Sequence, residues 1–176
     1  MHPEEGTLTE AAEAIRAQLI VPEQRELFDY WCSKCPDEGF PTRADIQPAE
    51  LKSVLPSLSL FDVLDGGPLR LRVRLAGTRL RDYLGVETTG RLVEEFDLDD
   101  QRAYWEAAYR EVIEARRPAQ GVVPLTPWKS PDVFQFWLRL PLVDAAGRIA
   151  MVFGHDAFLH SEKAHALAGR SNLRIA

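Results

Sequence analysis

The sequence predicts an α+β fold: a five-stranded antiparallel sheet with helices over one face, plus a further helix at the N-terminus. Three observations predict it. Residues 57–76, "SLSLFDVLDGGPLRLRVRLA", alternate in side-chain character on either side of a Gly-Gly-Pro turn, the pattern of a hairpin. Residues 134–159 alternate again around a second Gly-containing turn, "DAAGR". Between the two hairpins, residues 97–116 carry apolar side chains at helical spacing. Strands joined by hairpins and interrupted by one block of helix make an antiparallel sheet rather than a doubly wound one.

The elements follow in order. Thr7 and Glu10 suit a capping box, and Leu8, Ala12, Ile15 and Leu19 then recur with the 4-3-4 spacing of a narrow seam, so residues 7–19 are a helix. The seam makes this helix the expected contact of a homodimer. Pro22 opens a second helix, as proline does at a first helical position, and Leu27, Tyr30 and Trp31 give it one apolar face. Five prolines and glycines between Pro36 and Pro56 read as a loop holding one short helix. Two strands follow: in the second, Leu71, Val73 and Leu75 face one way, and Arg70, Arg72 and Arg74 form a solvated face. Thr78 caps a short helix that Gly85 ends. The long helix has Asp97, Asp99 and Asp100 at its start and Arg116 and Arg117 at its end, both favourable to the helix dipole, and Trp105, Ala108, Tyr109, Val112 and Ile113 on one face. Of the last three strands, "AQGVVPL" suits a sheet edge because Pro124 and Pro127 lack an N–H. "FQFWLRLPL" and "IAMVFGHDAFL" form the closing hairpin, and a helix from Ser161 to Ala168 ends the chain. This divides the chain into an N-terminal helix (1–21), a main domain (22–160) and a C-terminal helix and tail (161–176).

Composition excludes several function classes. The 176 residues carry a formal charge of −6 and are 45% hydrophobic, enough for one core without staples. A net acidic chain lacks the basic face that nucleic-acid binding requires. No stretch approaches the ~20 apolar residues of a membrane span, and the acidic N-terminus has no signal core. With two cysteines, the expected location is the reducing cytoplasm.

The runs "DIQPAELKSVLPSLSLFDVL", "RVRLAGTRLRDYLGVETTG" and the long helix ending "RRPAQG" resemble the small single-domain PAS-type proteins of the bacterial cytosol, over roughly residues 25–160. The resemblance implies a five-stranded sheet with helices laid over a concave face, and a role in sensing or protein–protein signalling rather than catalysis. It also explains the stretch from Arg70 to Asp97, which encloses a pocket or a packed core and carries no reactive groups. Gly77 lets the chain turn off the sheet, and Gly85 and Gly90 shape the loops. Leu75, Tyr83, Leu84, Tyr109, Val112, Phe136, Leu138 and Phe153 are the expected pocket residues. The resemblance argues against haem, which such domains usually hold through a histidine of the long helix, where residues 97–117 have none. It argues against covalent flavin too, because both cysteines lie upstream of the central helices. A small organic ligand is compatible with it.

The remaining motifs raise other chemistry. "WCSKC" invites a thiol–disulfide oxidoreductase using Cys32 and Cys35, but the preceding residues are helical, so Cys32 lies near a helix C-terminus, where the dipole opposes a thiolate. Zinc would need His155, His160 and His165 to join the cysteines; spaced five apart, they read as surface histidines, and no metal is expected. The acids of "VEEFDLDD" belong to a helix start. The expectation is therefore a non-enzymatic sensory module acting in trans on another signalling protein. A ligand-free adaptor anchored by Trp137 or Trp128 is the third alternative.

Overall fold

The computed structural model describes residues 5–125 and 132–170. Two helices, α1 (Glu5–Gln18) and α2 (Pro22–Lys34), lead into three short 3-10 turns (Arg43–Asp45, Pro48–Leu51 and Leu55–Ser57). Strands β1 (Leu58–Val63) and β2 (Leu71–Ala76) then form the first hairpin. After α3 (Thr78–Leu84) and α4 (Arg102–Ile113) come β3 (Ala119–Pro124), β4 (Val133–Val143) and β5 (Ile149–His160), and α5 (Ser161–Arg170) ends the fold. The strands form one antiparallel sheet in the order β2-β1-β5-β4-β3, so β5 lies at its centre between the two halves of the chain. Pro127 and Trp128 lie outside the described residues.

The helices are shorter or start differently where local chemistry intervenes. α4 begins only at Arg102, after a 3-10 turn over Asp99–Gln101, and stops at Ile113. Arg116 is in the left-handed region at φ 52°, and Pro118 follows, which disfavours helical geometry before it. Thr78 is the first residue of α3 rather than its cap; the cap position is Gly77, which makes no side-chain bond there. Gly77 has an ordinary φ of −64°, so its role is close approach and not a special turn: a Cβ would meet the backbone carbonyls of Pro56 and Leu55. Gly85 does end α3 in the left-handed region, at φ 72°.

Both faces of the sheet are covered. On the face we call outer, Leu58 and Leu60 of β1, Leu138, Leu140 and Leu142 of β4, and Phe153 of β5 pack under Leu27, Phe28 and Trp31 of α2. On the inner face, Phe61, Leu71, Val73, Trp137 and Val152 pack under Trp105, Ala108, Tyr109 and Val112 of α4. The alternation along each strand produces this split, since neighbours such as Val152 and Phe153 point opposite ways. Helices were expected over one face, with only the N-terminal helix set apart; α2 joins α1 on the opposite side. Its Trp31 donates Nε1–H to the Pro141 carbonyl at 3.1 Å, so the indole is buried without an unpaired donor.

α1 belongs to the same outer layer. Ala12 and Ile15 pack against the outer core, and Leu19, just beyond the helix, is buried within it. Part of the seam is thus used inside the chain, with Ala12 and Ile15 left half-buried. The physical reason is that α2 leaves apolar surface of the outer face that α1 covers. Leu8 has a side chain outside those described. Arg70, Arg72 and Arg74 are exposed, as the alternation requires, and Arg74 bonds Asp62 across the hairpin at 3.1 Å.

Candidate functional site

The inner face carries a polar cluster inside an aromatic shell. Arg139 of β4 and Asp156 of β5 form an ion pair at 2.8 Å, with side chains only 3% and 0% exposed. Gln135, two residues before Trp137 on the same face of β4, donates Nε2–H to the same Asp156 oxygen at 2.8 Å, and the Ser59 hydroxyl of β1 bonds the other at 3.4 Å. The Arg139 guanidinium donates further to the Leu138 carbonyl (3.0 Å), the His155 carbonyl (3.4 Å) and the Tyr109 hydroxyl (3.4 Å). It lies over the rings of Phe61, Trp105 and Trp137, at 5.5, 5.6 and 5.9 Å from their centroids. Burial opposes its charge, but Asp156 and Tyr109 outweigh burial and hold its pKa above the ordinary arginine value. Burial also raises the pKa of Tyr109, so its hydroxyl keeps its proton. Gly154 makes room for the cluster, since a Cβ there would run into Ser59 and Arg139.

This cluster forms the floor of a cavity of about 290 Å³ between the sheet, α3, α4 and the segment connecting those helices. Apolar side chains line most of it, among them Phe61, Val73, Leu84, Val93 and Trp105. Among the polar residues that the connecting segment adds to the lining, Thr88 is the buried one. It is 1% exposed, lines the cavity, and its hydroxyl has no hydrogen-bond partner among the described residues. An unpaired buried hydroxyl is costly. Thr88→Val is therefore expected to raise the stability of the ligand-free protein by about 1 kcal/mol. The urea midpoint measures this, and a fall in midpoint would show the hydroxyl to be satisfied.

The eight residues expected at the pocket divide sharply. Leu84 and Tyr109 line the cavity. Tyr83 stands beside it, stacked on Phe158 at 4.4 Å between centroids, and Val112 is buried in the inner core behind it. The other four are corrections. Leu138 and Phe153 are in the outer core, and Phe136 packs on the outer side with Ile20, Val21, Ala164 and Ala168, because their strand positions have the opposite phase to Trp137, Arg139 and Val152. Leu75 is 46% exposed. Its pairing explains why: Leu60 faces Leu75 but Phe61 faces Val73, so Arg74 is a bulged residue, and Leu75 emerges on the side of Leu60.

The alternative chemistries lose their geometry. Cys32 lies in the last turn of α2 and Cys35 just after it; both thiols are free, half-buried and packed against the outer core. Burial pushes both pKa values up, Cys35 to about 12, the reverse of what an attacking thiolate needs. The cysteines line a larger, more open groove of about 860 Å³ between α1, the end of α2 and α4, whose walls contain no unpartnered buried polar atom. Among the described residues, no three His, Cys, Asp or Glu side chains are placed to hold a metal. His155 is not a surface residue but 2% exposed on the outer face of β5. Trp137, expected as an exposed docking anchor, is buried in the inner core and donates Nε1–H to the Tyr104 hydroxyl at 3.0 Å. Trp128, the other anchor, falls outside the described residues. Among the described residues lining the cavity there is no cysteine or histidine, the groups that a thiol-linked flavin or a histidine-ligated haem would need.

Sequence reasoning missed Arg139, Asp156, Gln135 and Thr88. The first three were legible in principle: folding the closing hairpin about Gly147 places Trp137 opposite Asp156, one strand-face step from Arg139. Thr88 gave no signal of its own.

Comparison with known proteins supports the architecture. A light-oxygen-voltage domain studied with a flavin analogue superimposes with a TM-score of 0.53 at 12% identity, over 70% of this chain and 92% of that one. The dark structure of the blue-light photoreceptor Aureochrome1 LOV gives 0.51 at 15%, over 72% and 93%. An RNA-binding light-oxygen-voltage receptor gives 0.52 at 12%, over 98% of this chain and 68% of that one. Identities this low speak to fold alone. No curated protein matches the chain. No described helix is long and apolar enough to cross a membrane. The sequence pattern of the PAS domain matches residues 20–156, most of the chain and all five strands but the last residues of β5, and so the chain belongs to the PAS domain family.

Proposed function

We propose that the chain is a cytoplasmic, non-enzymatic sensory module that takes a small organic molecule into the inner cavity and passes its occupancy to a partner signalling protein. The observation that carries this reading is the cavity of about 290 Å³ whose wall includes Thr88, a buried hydroxyl residue with no partner among the described residues. A preformed apolar pocket with a few convergent polar groups is the usual form of a small-molecule site. Family membership and fold fit a sensory role. In the buried cluster Tyr109 keeps its proton, and the Ser59 hydroxyl bonds the Asp156 carboxylate that the Arg139 ion pair already holds.

Native mass spectrometry of the freshly purified protein tests the proposal. The expected result is an adduct that leaves on denaturation and is absent from Leu84→Trp, which fills the cavity. An adduct that persists unchanged in Leu84→Trp, or an apo mass together with no small-molecule binding in screening, would refute it. The same spectrum counts subunits.

A further inference from the structure

Resting on that reading, we infer that the cavity selects an uncharged molecule with an apolar body and a single hydroxyl or carbonyl head, and discriminates against carboxylates and amines of the same shape. Size sets the first limit. About 290 Å³ corresponds to roughly ten water molecules. A one-ring compound with a short substituent fits that volume.

Charge sets the second limit, and it excludes both signs for different reasons. An anion would seek Arg139, the cation of the cavity floor. Asp156 already holds its Nη2 at 2.8 Å, and its remaining bonds run to two carbonyls and the Tyr109 hydroxyl. An anion there would compete with a carboxylate that has no access to water, and displacing it would leave that charge buried and unpaired. A cation would seek aromatic faces. Those of Phe61 and Trp105 already carry the Arg139 guanidinium, and that of Phe96 carries Arg91 at 5.1 Å. A second cation would sit beside a first. The ionic groups at the mouth, Arg91, Glu95 and Asp97, are exposed, so water and salt screen them. The interior is electrically closed.

What remains open is a neutral hydrogen-bonding group. The Thr88 hydroxyl both donates and accepts, it has no partner among the described residues, and it is buried on a residue of the cavity wall. A ligand hydroxyl or carbonyl would satisfy it, and a hydrocarbon would not.

The test uses four probes with one ring: p-cresol, toluene, 4-methylbenzoate and 4-methylbenzylamine, measured by calorimetry on the full chain near neutral pH, where the phenol is uncharged. The expected order is p-cresol first, with toluene at least tenfold weaker and both charged probes weaker still. Thr88→Val should bring p-cresol down to the level of toluene, whereas Thr88→Ser, which keeps the hydroxyl, should retain the preference. Leu84→Trp should abolish binding of all four. A charged probe binding as tightly as p-cresol, or an undiminished preference in Thr88→Val, would overturn the inferred class while leaving a ligand-binding cavity in place. Failure of all four probes to bind the wild-type protein would overturn the cavity reading itself.

Discussion

Asp156→Ala is expected to cost about 3–5 kcal/mol of stability, the usual cost of leaving one member of a buried ion pair without the other. The carboxylate is wholly buried and accepts from Arg139, Gln135 and Ser59, so its removal strands a guanidinium and an amide at once. The pair is not thereby a large net source of stability, because taking both charges out of water is itself costly. Replacing both, with Arg139→Met and Asp156→Leu, should recover at least about 2 kcal/mol of what the single change loses. Urea unfolding at near-neutral pH measures both variants. A single variant within about 1 kcal/mol of wild type, or a double variant no more stable than the single, would show that the pair is solvated in solution.

What the pair supplies instead is position. Arg139 ties together β4, β5 and α4 through Asp156, the His155 carbonyl and Tyr109, and it does so at the floor of the cavity. On the far side of the sheet, Gln24 of α2 donates to the carbonyls of Phe136 (2.9 Å) and His155 (3.5 Å). The carbonyl of His155 is therefore approached from both faces, by a cavity residue from one side and by a residue of the outer helical layer from the other. A molecule that altered the set of Arg139 would act directly on that shared acceptor.

The path from sequence to site was uneven for physical reasons. Element positions were legible because period and punctuation are local: the alternation around Gly66-Gly67 and around Gly147, the proline at the start of α2 and the glycine after α3 all mark real boundaries. The faces were not legible. On a sheet covered on both sides, each phase of an alternating strand is buried, so counting apolar residues cannot say which phase meets the cavity. Leu138 and Phe153 are the more apolar choices, yet the cavity lies on the side of Gln135 and Arg139. Leu75 failed for a second reason, a bulge at Arg74 that exists only in the pairing of two strands. Arg139 and Asp156 reverse the ordinary expectation that charged strand residues face water, and only the hairpin register shows that each has the other as a partner.

His155 should make the fold acid-sensitive in a defined window. It sits 2% exposed on the outer face of β5, its Nδ1 has no hydrogen-bond partner among the described residues, and burial lowers its pKa from the model-peptide value of 6.5 to about 4. Asp156 and Glu23 favour its protonation, Arg139 and Arg79 oppose it, and burial decides the sign. The unfolded chain binds this proton more readily than the folded one, so the stability attached to neutral His155 is fully present above the unfolded value and is lost as pH falls towards the folded one. The linkage relation puts the loss at about 2 kcal/mol between about pH 7 and about pH 5. His155→Leu removes the titrating group and should flatten that part of the stability profile. The decisive comparison is the difference in urea midpoint between the two pH values, wild type against variant. An equal acid loss in both would place the sensitivity on other groups, and a wild-type profile that is flat across the window would mean that the imidazole is hydrated in solution.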